Sequence, residues 1–421
     1  MVVELVNTGS ELMLGSVLNT HQQWLCRELA DMGYVVSRQV AVPDTSADIQ
    51  QAVREALQRA DLVITTGGLG PTSDDITREL VAQMLGKKLH QDAPTLAHIQ
   101  KFFDIRKRSM PESTKVQALV PEGAIVLQNE HGTAPGLAME VNPNPYRPEG
   151  SASWLVMLPG PPRELRPMFK ESVAPVLQRV FALKTAFVCR TFRTTGLGES
   201  LVEQRVAKPL KDLVKAGLVL GYCARPGQVD VRLTAAGPEA ESVVTHAEKI
   251  LRERLGTYIY GLESDEIENV LVRLLTERHQ TLALAESCTG GCMANRITNV
   301  PGASAVLMGG LVTYSNEAKQ RLLGVRAETL AAHGAVSEAV AREMAQGARS
   351  TLGADYALSV TGIAGPSGGT LEKPVGTVFV GLATASKTVV EKYFNPYDRE
   401  TFKHVTTQQA LELLRRAAVD A

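Results

Sequence analysis

The chain has 421 residues, which exceeds the roughly 250–300 residues at which a single hydrophobic core stops growing, so two or three domains are expected. Hydrophobic residues make up 44% and charged residues 21%, with 35 Gly and 21 Pro, a profile of globular α/β proteins that argues against disorder. The chain has 44 Lys and Arg residues and 45 Asp and Glu residues, for a net charge of -1. This excludes an overall positive charge of the kind that binds nucleic acid or an anionic membrane.

The N-terminus and the cysteines indicate the compartment. The chain does not begin with a basic stretch followed by a long apolar one, and it contains no run of about 18 apolar residues, so we expect a cytoplasmic protein. The five cysteines are odd in number and mostly far apart, which argues against a disulfide framework. Cys288 and Cys292 lack the further ligands of a zinc site, and both are predicted to be small buried apolar residues.

The first 179 residues alternate short β-branched runs with amphipathic stretches, as doubly wound α/β domains do. This pattern predicts strands over residues 2–6 and 62–66, and helices over 19–32, 45–60 and 74–85. The polar, Pro-rich segment 142–153 predicts a surface loop or hairpin tip.

A glycine-rich turn follows the predicted strand 62–66. Gly67, Gly68 and Gly70 let the backbone approach a phosphate, although the turn has neither Walker nor GxGxxG spacing. Asp74 and Asp75 come next, and two carboxylates there could hold a divalent cation or activate water. The alternative is that Ser73 or Asp74 caps the following helix. Three more glycine-bearing turns, at residues 7–11, 132–136 and 158–162, could converge on one cleft.

The middle of the chain predicts a small α+β domain of βαββα order. Its strands are expected over residues 187–194, 217–225 and 228–235, and its helices over 199–215 and 239–255. No site is visible there, so we expect a spacer. Turn and capping residues at 261–265 precede a predicted helix at 267–278. The expected domains are therefore residues 1–180, 181–262 and 263–421.

Strands and helices alternate again in the last third. Strands are predicted over residues 281–285, 305–314, 356–361 and 377–384, and helices over 290–298, 315–323, 337–351 and 398–418. Ser287 follows the first of these strands at a glycine-containing turn, which can present a hydroxyl nucleophile beside free backbone N–H groups.

A serine nucleophile needs a base. The histidines of this region, at 279, 333 and 404, have no obvious triad context, so lysine becomes the candidate. Lys319 lies in the helix that follows Tyr314, where a desolvated amine could deprotonate Ser287. Thr361, Gly362 and Gly365 follow another apolar strand, so that all these groups lie at strand ends, where open α/β sheets bind ligands.

Each of these features also has a purely structural interpretation. Ser287, Thr289 and Gly290 could cap a helix, and Lys319 could be a solvated surface charge. Tyr314 could be a core ring with a hydrated hydroxyl, and residues 361–365 an ordinary βα turn. Their occurrence together at three strand ends favours a site.

The motifs AESCTGG, VTYSNEAK and SVTGIAGPSGG, with Asp398-Arg399-Glu400, resemble the C-terminal domain of the competence/damage-inducible protein A (CinA) family over residues 266–418. This domain is similar to amidohydrolases that convert nicotinamide mononucleotide (NMN) to nicotinic acid mononucleotide and ammonia, without a cofactor. The resemblance implies that Ser287 is the nucleophile, Lys319 the base and Tyr314 an orienting group. It further implies an oxyanion cradle at Thr289, Gly290 and Gly291.

The same resemblance implies that Arg399 and the turn with Thr361, Gly362 and Gly365 hold the ribose and phosphate of NMN. An ion pair of Arg399 with Asp398 or Glu400 is the alternative, since surface ion pairs are commonplace.

The four N-terminal turns resemble the molybdopterin-binding (MoaB/MogA-like) domain of the CinA family over residues 2–179. Some members of this family resemble metal-dependent ADP-ribose pyrophosphatases, which form AMP and ribose 5-phosphate. The resemblance implies a divalent cation, and K⁺ as a further cofactor. The implied pyrophosphate ligands are Gly67, Gly68, Gly70 and Thr72, with Asp74 and Asp75 at the metal or water. The implied additional contacts are Asn19, Glu11 and Thr133, with Glu11 a further metal ligand.

The leading hypothesis is a two-activity hydrolase of NMN and ADP-ribose, both products of NAD breakdown, and family resemblance favours a homodimer. One alternative is a pterin- or nucleotide-binding module without catalysis, linked to competence or a DNA-damage response; the neutral charge and the absence of a nucleic-acid motif argue against it. Another is a transferase of molybdenum-cofactor assembly, which predicts pterin affinity at residues 67–75.

Overall fold

A six-stranded mixed sheet forms the centre of the N-terminal unit, Met1–Phe187. The structure is a computed structural model that describes residues 1–182 and 186–419. The strands of this unit are β1 (Val3–Thr8), β2 (Val36–Val42), β3 (Leu62–Thr66), β4 (Leu89–Gln91), β5 (Leu119–Pro121), β6 (Ile125–Leu127), β7 (Gly136–Val141) and β8 (Ser153–Leu158). Its helices are α1 (Ser10–Met13), α2 (Thr20–Asp31), α3 (Ser46–Arg59), α4 (Thr77–Met84), α5 (Ala93–Ile105), α6 (Pro162–Met168) and α7 (Ala174–Val180), and shorter helical turns are Glu112–Ala118, Pro148–Gly150 and Phe169–Val173.

The strand order of this sheet is β2-β1-β3-β8-β7-β6, and its first four strands run parallel. Side chains of β1 alternate between two cores: Val6 packs with α3, whereas Leu5 packs with α2 and α6. A sheet with helices on both faces is the doubly wound arrangement predicted for this domain. The segment after β7, predicted as a hairpin tip, connects β7 to the antiparallel strand β8.

The helix predicted over residues 74–85 begins later, at Thr77. Its N-cap is Ile76, so neither Ser73 nor Asp74 caps it, and that interpretation is wrong. The Thr77 N–H donates to the carbonyl of Gly68 at 3.1 Å, which ties the start of α4 to the glycine turn. Asp74 and Asp75 therefore belong to the turn.

The second unit, Val188–Ala421, contains two sheets. The elements of its first part are β9 (Phe187–Thr195), α8 (Glu199–Lys215), β10 (Val219–Arg225), β11 (Gln228–Ala236), α9 (Ala240–Leu255), the turn Gly256–Tyr258 and β12 (Ile259–Leu262). The strand order is β10-β11-β9-β12, and both helices pack on this sheet through apolar residues such as Val206 and Val244.

The last part carries a five-stranded sheet of order β14-β13-β15-β16-β17. Its elements are α10 (Ile267–Glu277), β13 (Leu282–Glu286), α11 (Cys292–Thr298), the turn Ala303–Ala305, β14 (Leu307–Val312), α12 (Asn316–Leu323), α13 (Ala327–His333), α14 (Glu338–Leu352), β15 (Tyr356–Gly362), β16 (Thr377–Ala383), β17 (Thr388–Phe394) and α15 (Arg399–Val419). β13 runs parallel to β14 and β15, its neighbours, so the chain leaves these three strands at one edge of the sheet.

Two boundaries near this edge differ from the prediction. The helix predicted from residue 290 begins at Cys292, because Gly290 and Gly291 have φ of 61° and 95°, outside the helical region. The strand predicted over 305–314 is shorter, which places Tyr314 in the connection to α12. Among the helices described, none is long and apolar enough to cross a membrane.

Candidate active site

Ser287 and Lys319 meet at the carboxyl edge of the C-terminal sheet. Ser287 follows β13, Lys319 lies in α12, and the distance from Lys319 Nζ to Ser287 Oγ is 3.1 Å. The same Nζ donates to the carbonyls of Thr313 at 2.7 Å and Tyr314 at 3.4 Å. The side chain of Lys319 is 1% exposed, so its interpretation as a solvated surface charge is wrong.

The protonation of Lys319 follows from this burial. Desolvation lowers the pKa of the amine from its usual 10.5, and a weaker interaction with Cys288 opposes that shift. A neutral amine has two N–H donors and one lone pair. The carbonyls of Thr313 and Tyr314 can take the two donors, which leaves the lone pair for the proton of Ser287.

The carboxylate of Glu286 holds the serine turn in place. It is 0% exposed and accepts the N–H groups of Gly291 at 3.0 Å, Met293 at 3.1 Å and Ala294 at 2.8 Å. These donors belong to the start of α11, where an anion is also favoured by the helix dipole. The sequence prediction gave Glu286 no role; the available signal was an acidic residue immediately before a turn that begins a helix.

The donors of the turn are only partly available to a ligand. Gly290 N–H donates to the carbonyl of Ser287, and Gly291 N–H is taken by Glu286. The N–H of Thr289 makes no hydrogen bond to any residue that the structure describes, and the hydroxyl of this buried residue also has no partner there. Thr289 is thus the member of the predicted cradle with free polar groups. The helix-capping interpretation is wrong, because the N-cap of α11 is Gly291 without a side-chain cap.

Arg399 links the segments that follow β14 and β15. Its Nη1 donates to the carbonyl of Gly365 at 2.9 Å, and its Nη2 donates to the hydroxyl of Tyr314 at 2.8 Å. Tyr314 is 61% exposed, so it is not a core ring. The carboxylate of Asp398 accepts backbone N–H groups of α15 and does not pair with Arg399. This contradicts the alternative in which Arg399 forms an ion pair with Asp398.

Thr361 and Gly362 have structural roles at this edge. The hydroxyl of Thr361 donates to the carbonyl of Ala335 at 2.8 Å, and the residue is 1% exposed. A Cβ on Gly362 would lie 2.8 Å from Val378, so only glycine fits there. The turn leads from β15 into antiparallel β16, so the interpretation as a βα turn is wrong. Cys288 is buried, as predicted, and its pKa is raised to about 12 by burial, whereas Cys292 is half-buried.

The four glycine-bearing turns of the N-terminal unit lie close together. A Cβ on Gly67 would lie 2.6 Å from the carbonyl of Thr8, and a Cβ on Gly160 would lie 3.8 Å from Gly67 Cα. The carboxylate of Glu164, just after Gly160, is 2.1 Å from the place of a Cβ on Gly132. The turns predicted to surround one cleft are therefore neighbours.

Two predicted contacts lie at this cluster of turns. Asn19 accepts the N–H of Gln22 at 3.1 Å as the N-cap of α2, and its side-chain amide nitrogen is buried without a partner among the described residues. Thr133 is half-buried in the turn 132–136. His21, which the sequence did not single out, hydrogen-bonds the carbonyl of Gly160 through Nε2.

The acidic residues are less tightly grouped. Asp75 accepts the N–H of Thr72 at 3.0 Å and also its hydroxyl, and a Cβ on Gly70 would lie 2.2 Å from the Asp75 carboxylate. Asp74 is exposed, and the exposed carboxylate of Glu11 lies against its own turn at Gly9. Across residues 1–182 and 186–419, no group of three or more His, Cys, Asp or Glu side chains is arranged to hold a metal.

Three family models match the chain in succession. They are described as "Probable molybdopterin binding domain" at residues 4–179, "Damage-inducible protein CinA KH domain" at 189–261 and "CinA C-terminal domain" at 264–418. Fold and site thus define an α/β protein that joins a MoaB/MogA-like domain to a domain with a buried serine–lysine pair.

Relatives match along the whole length. A CinA-like protein of Kosmotoga olearia is 43% identical over 420 residues, covering 99% of both chains. One of Akkermansia muciniphila is 44% identical over 410 residues, covering 97% of this chain and 95% of the other. The crystal structure of competence/damage inducible protein CihA from Agrobacterium tumefaciens is 39% identical, covers 36% of this chain and 93% of its own, and has a TM-score of 0.35. The chain belongs to the CinA family.

Proposed function

We propose that the serine site hydrolyses the carboxamide of NMN to nicotinic acid mononucleotide and ammonia. The observation that carries this proposal is the 3.1 Å approach of the buried Lys319 amine to the Ser287 hydroxyl. A lysine with a lowered pKa is a general base, and a serine beside it is a nucleophile for acyl transfer. The family resemblance of the surrounding motifs supports the amide of NMN as the substrate.

In the first half of the reaction Ser287 Oγ forms a bond to the amide carbon while its proton moves to Lys319 Nζ. The oxyanion that results is stabilised by the free N–H and hydroxyl of Thr289, the groups of the turn that Glu286 does not occupy. Lys319 then gives the proton to the amide nitrogen, the C–N bond breaks, and ammonia leaves.

In the second half a water molecule attacks the acyl ester. Lys319 accepts a proton from this water and returns it to Ser287 Oγ as the ester bond breaks, which releases the carboxylate. Tyr314 and Arg399, joined by a hydrogen bond of 2.8 Å, border the same strand ends and orient the substrate.

The test is ammonia release from NMN by the purified full chain, compared with Ser287→Ala. We expect Ser287→Ala to abolish ammonia release while circular dichroism stays unchanged. The matched control is Ser386→Ala, an exposed serine in the turn after β16, which should retain activity. Turnover by Ser287→Ala at the native rate would exclude the serine mechanism.

We propose a second activity, ADP-ribose hydrolysis to AMP and ribose 5-phosphate, at the cluster of four turns. The convergence of these turns supports it, because the glycines at 67 and 160 let the turns pack against each other and bring their backbones to one place. The family implies a divalent cation. Asp74 and Asp75 fit as its ligands, since Mg²⁺ commonly takes one or two carboxylates and completes its shell with substrate phosphates and water. The cation would neutralise charge on the pyrophosphate.

The test of this activity is AMP formation from ADP-ribose with Mg²⁺ or Mn²⁺, with and without K⁺. We expect Asp75→Ala to lower the rate at least tenfold, whereas Glu122→Ala, an exposed acidic residue elsewhere in the unit, should not. If the native chain forms no more AMP than Asp75→Ala does, the domain lacks this activity and is a binding module. Measured pterin affinity in that case would favour the cofactor-assembly alternative.

A further inference from the structure

A buried arginine joins the helix of the serine turn to α15. Arg296 lies in the last turn of α11, the helix that begins directly after the serine turn. Its guanidinium donates to the side-chain oxygen of Gln408 in α15 at 2.9 Å, and it pairs with the carboxylate of Glu268 in α10 at 3.2 and 2.5 Å. One side chain therefore connects three helices of the C-terminal domain.

The three side chains of this link are largely buried. Arg296 is 9% exposed, Gln408 is 0% exposed and the side chain of Glu268 is 14% exposed. The turn between β10 and β11 covers Gln408, since a Cβ on Gly227 would lie 3.5 Å from Gln408 Cγ. Water therefore competes little for these hydrogen bonds, and bonds from a charged donor are shorter and stronger than those between neutral groups.

The apolar contacts of the same helices define their relative position less closely. Met293 and Ile297 of α11 belong to one hydrophobic cluster with Leu411 of α15. Hydrophobic contacts are non-directional, whereas the planar fork of a guanidinium bonds its partners only in fixed directions. The hydrogen bond between Arg296 and Gln408 thus fixes α11 relative to α15.

Both helices begin at the serine site. The carboxylate of Glu286 holds the first turn of α11 beside Ser287. Arg399, whose guanidinium contacts Tyr314, is the first residue of α15. A shift between the two helices would therefore move the reactive hydroxyl relative to the groups that orient the substrate. Misplacement by about 1 Å can lower a rate by about 100-fold.

We propose that Gln408 is a positioning residue of the serine site, which acts through Arg296 to hold α11 and α15 in the arrangement that amide hydrolysis needs. The inference rests on the proposed hydrolysis of NMN and adds to it a residue remote from the reacting atoms. Within the described chain Gln408 makes no hydrogen bond to Ser287 or Lys319, so its effect passes through the two helices.

The main experiment is the substitution Gln408→Met. Met has a similar length and needs no hydrogen-bond partner, and Arg296 keeps its ion pair with Glu268, so no buried charge is left unpaired. We expect kcat for ammonia release from NMN to fall about 10- to 100-fold, while KM and the circular dichroism spectrum change little. Gln320→Met, at an exposed glutamine of α12, is the control and should match the native chain.

A second set of variants tests whether Gln408 acts through Arg296. Arg296→Met together with Glu268→Leu removes the ion pair as a unit and should lower kcat by a similar factor. Adding Gln408→Met to these two substitutions should cause no further loss, because the hydrogen bond that it breaks is already absent. A further loss of the same size would overturn the inference, as would a native kcat in Gln408→Met alone.

Hydrogen exchange of the α11 peptide, residues 292–299, does not need turnover. Loss of the hydrogen bond from the charged guanidinium in Gln408→Met should speed exchange there by about tenfold or more, whereas Gln320→Met should not. If the native chain releases no ammonia from NMN, the proposed function fails, and this measurement alone decides whether Gln408 holds α11. Unchanged exchange in Gln408→Met would show that it does not.

Discussion

The buried carboxylate of Glu286 offers the sharpest test of how the serine turn is held. In Glu286→Gln the amide oxygen can keep the two N–H groups that one carboxylate oxygen now accepts, from Gly291 and Met293. The amide NH₂ then faces the N–H of Ala294, where the carboxylate accepts at 2.8 Å, so two donors oppose each other. Each hydrogen bond to a charged group contributes about 1.5–3 kcal/mol to stability. The substitution removes the bond from Ala294 and weakens the two from Gly291 and Met293, so we expect it to destabilise the turn by about 2–3 kcal/mol.

Hydrogen exchange of the peptide that spans residues 286–298 measures this loss directly. A change of about 2–3 kcal/mol in local opening corresponds to exchange faster by roughly 30- to 150-fold. Glu317→Gln is the matched control, because Glu317 lies in the first turn of α12 but is exposed. We also expect kcat for amide hydrolysis to fall in Glu286→Gln alone. Unchanged exchange in this peptide would refute the positioning role of Glu286.

Two further predictions concern the same domain. Because burial lowers the pKa of Lys319 from 10.5 and the base must be unprotonated, kcat/KM for the amide should rise with pH through an ionisation below 10.5; a pH-independent profile would contradict the lysine base. Gly347→Ala should destabilise the C-terminal unit by about 3 kcal/mol in pulse proteolysis with urea, because its Cβ would lie 1.8 Å from the carbonyl of Leu323. Gly221→Ala, whose Cβ meets nothing closer than 3.9 Å, is the control, and equal midpoints for the two variants would contradict the packing argument.

The local sequence pattern was sufficient to predict the interiors of most helices and strands. The apolar run Leu62–Thr66 is a fully buried strand, and the amphipathic stretch Glu199–Lys215 is a helix with both predicted ends. The predicted ends of helices and strands were wrong where a contact with a residue distant in sequence determines them. Hydrophobic periodicity extends α4 back to residue 74, but the hydrogen bond from Thr77 to Gly68 delays its start.

The candidate site was predictable to the extent that strand ends identify it. Ser287, Tyr314 and Lys319 were found because each follows or adjoins an apolar run that ends at the same edge of the sheet. The sequence did not show the role of Glu286. That role depends on which backbone N–H groups the fold brings to its carboxylate, and an acidic side chain alone does not show them.

A lysine base imposes a condition that a histidine base does not. Histidine titrates near neutral pH without help, whereas lysine must be desolvated to lose its proton, and a buried amine then needs hydrogen-bond partners. The carbonyls of Thr313 and Tyr314 meet that need without adding a negative charge, which would favour the protonated form. The carboxylate of Glu286 is committed to three backbone N–H groups. The turn therefore uses its anion for structure, and the amine of Lys319 stays in a neutral environment.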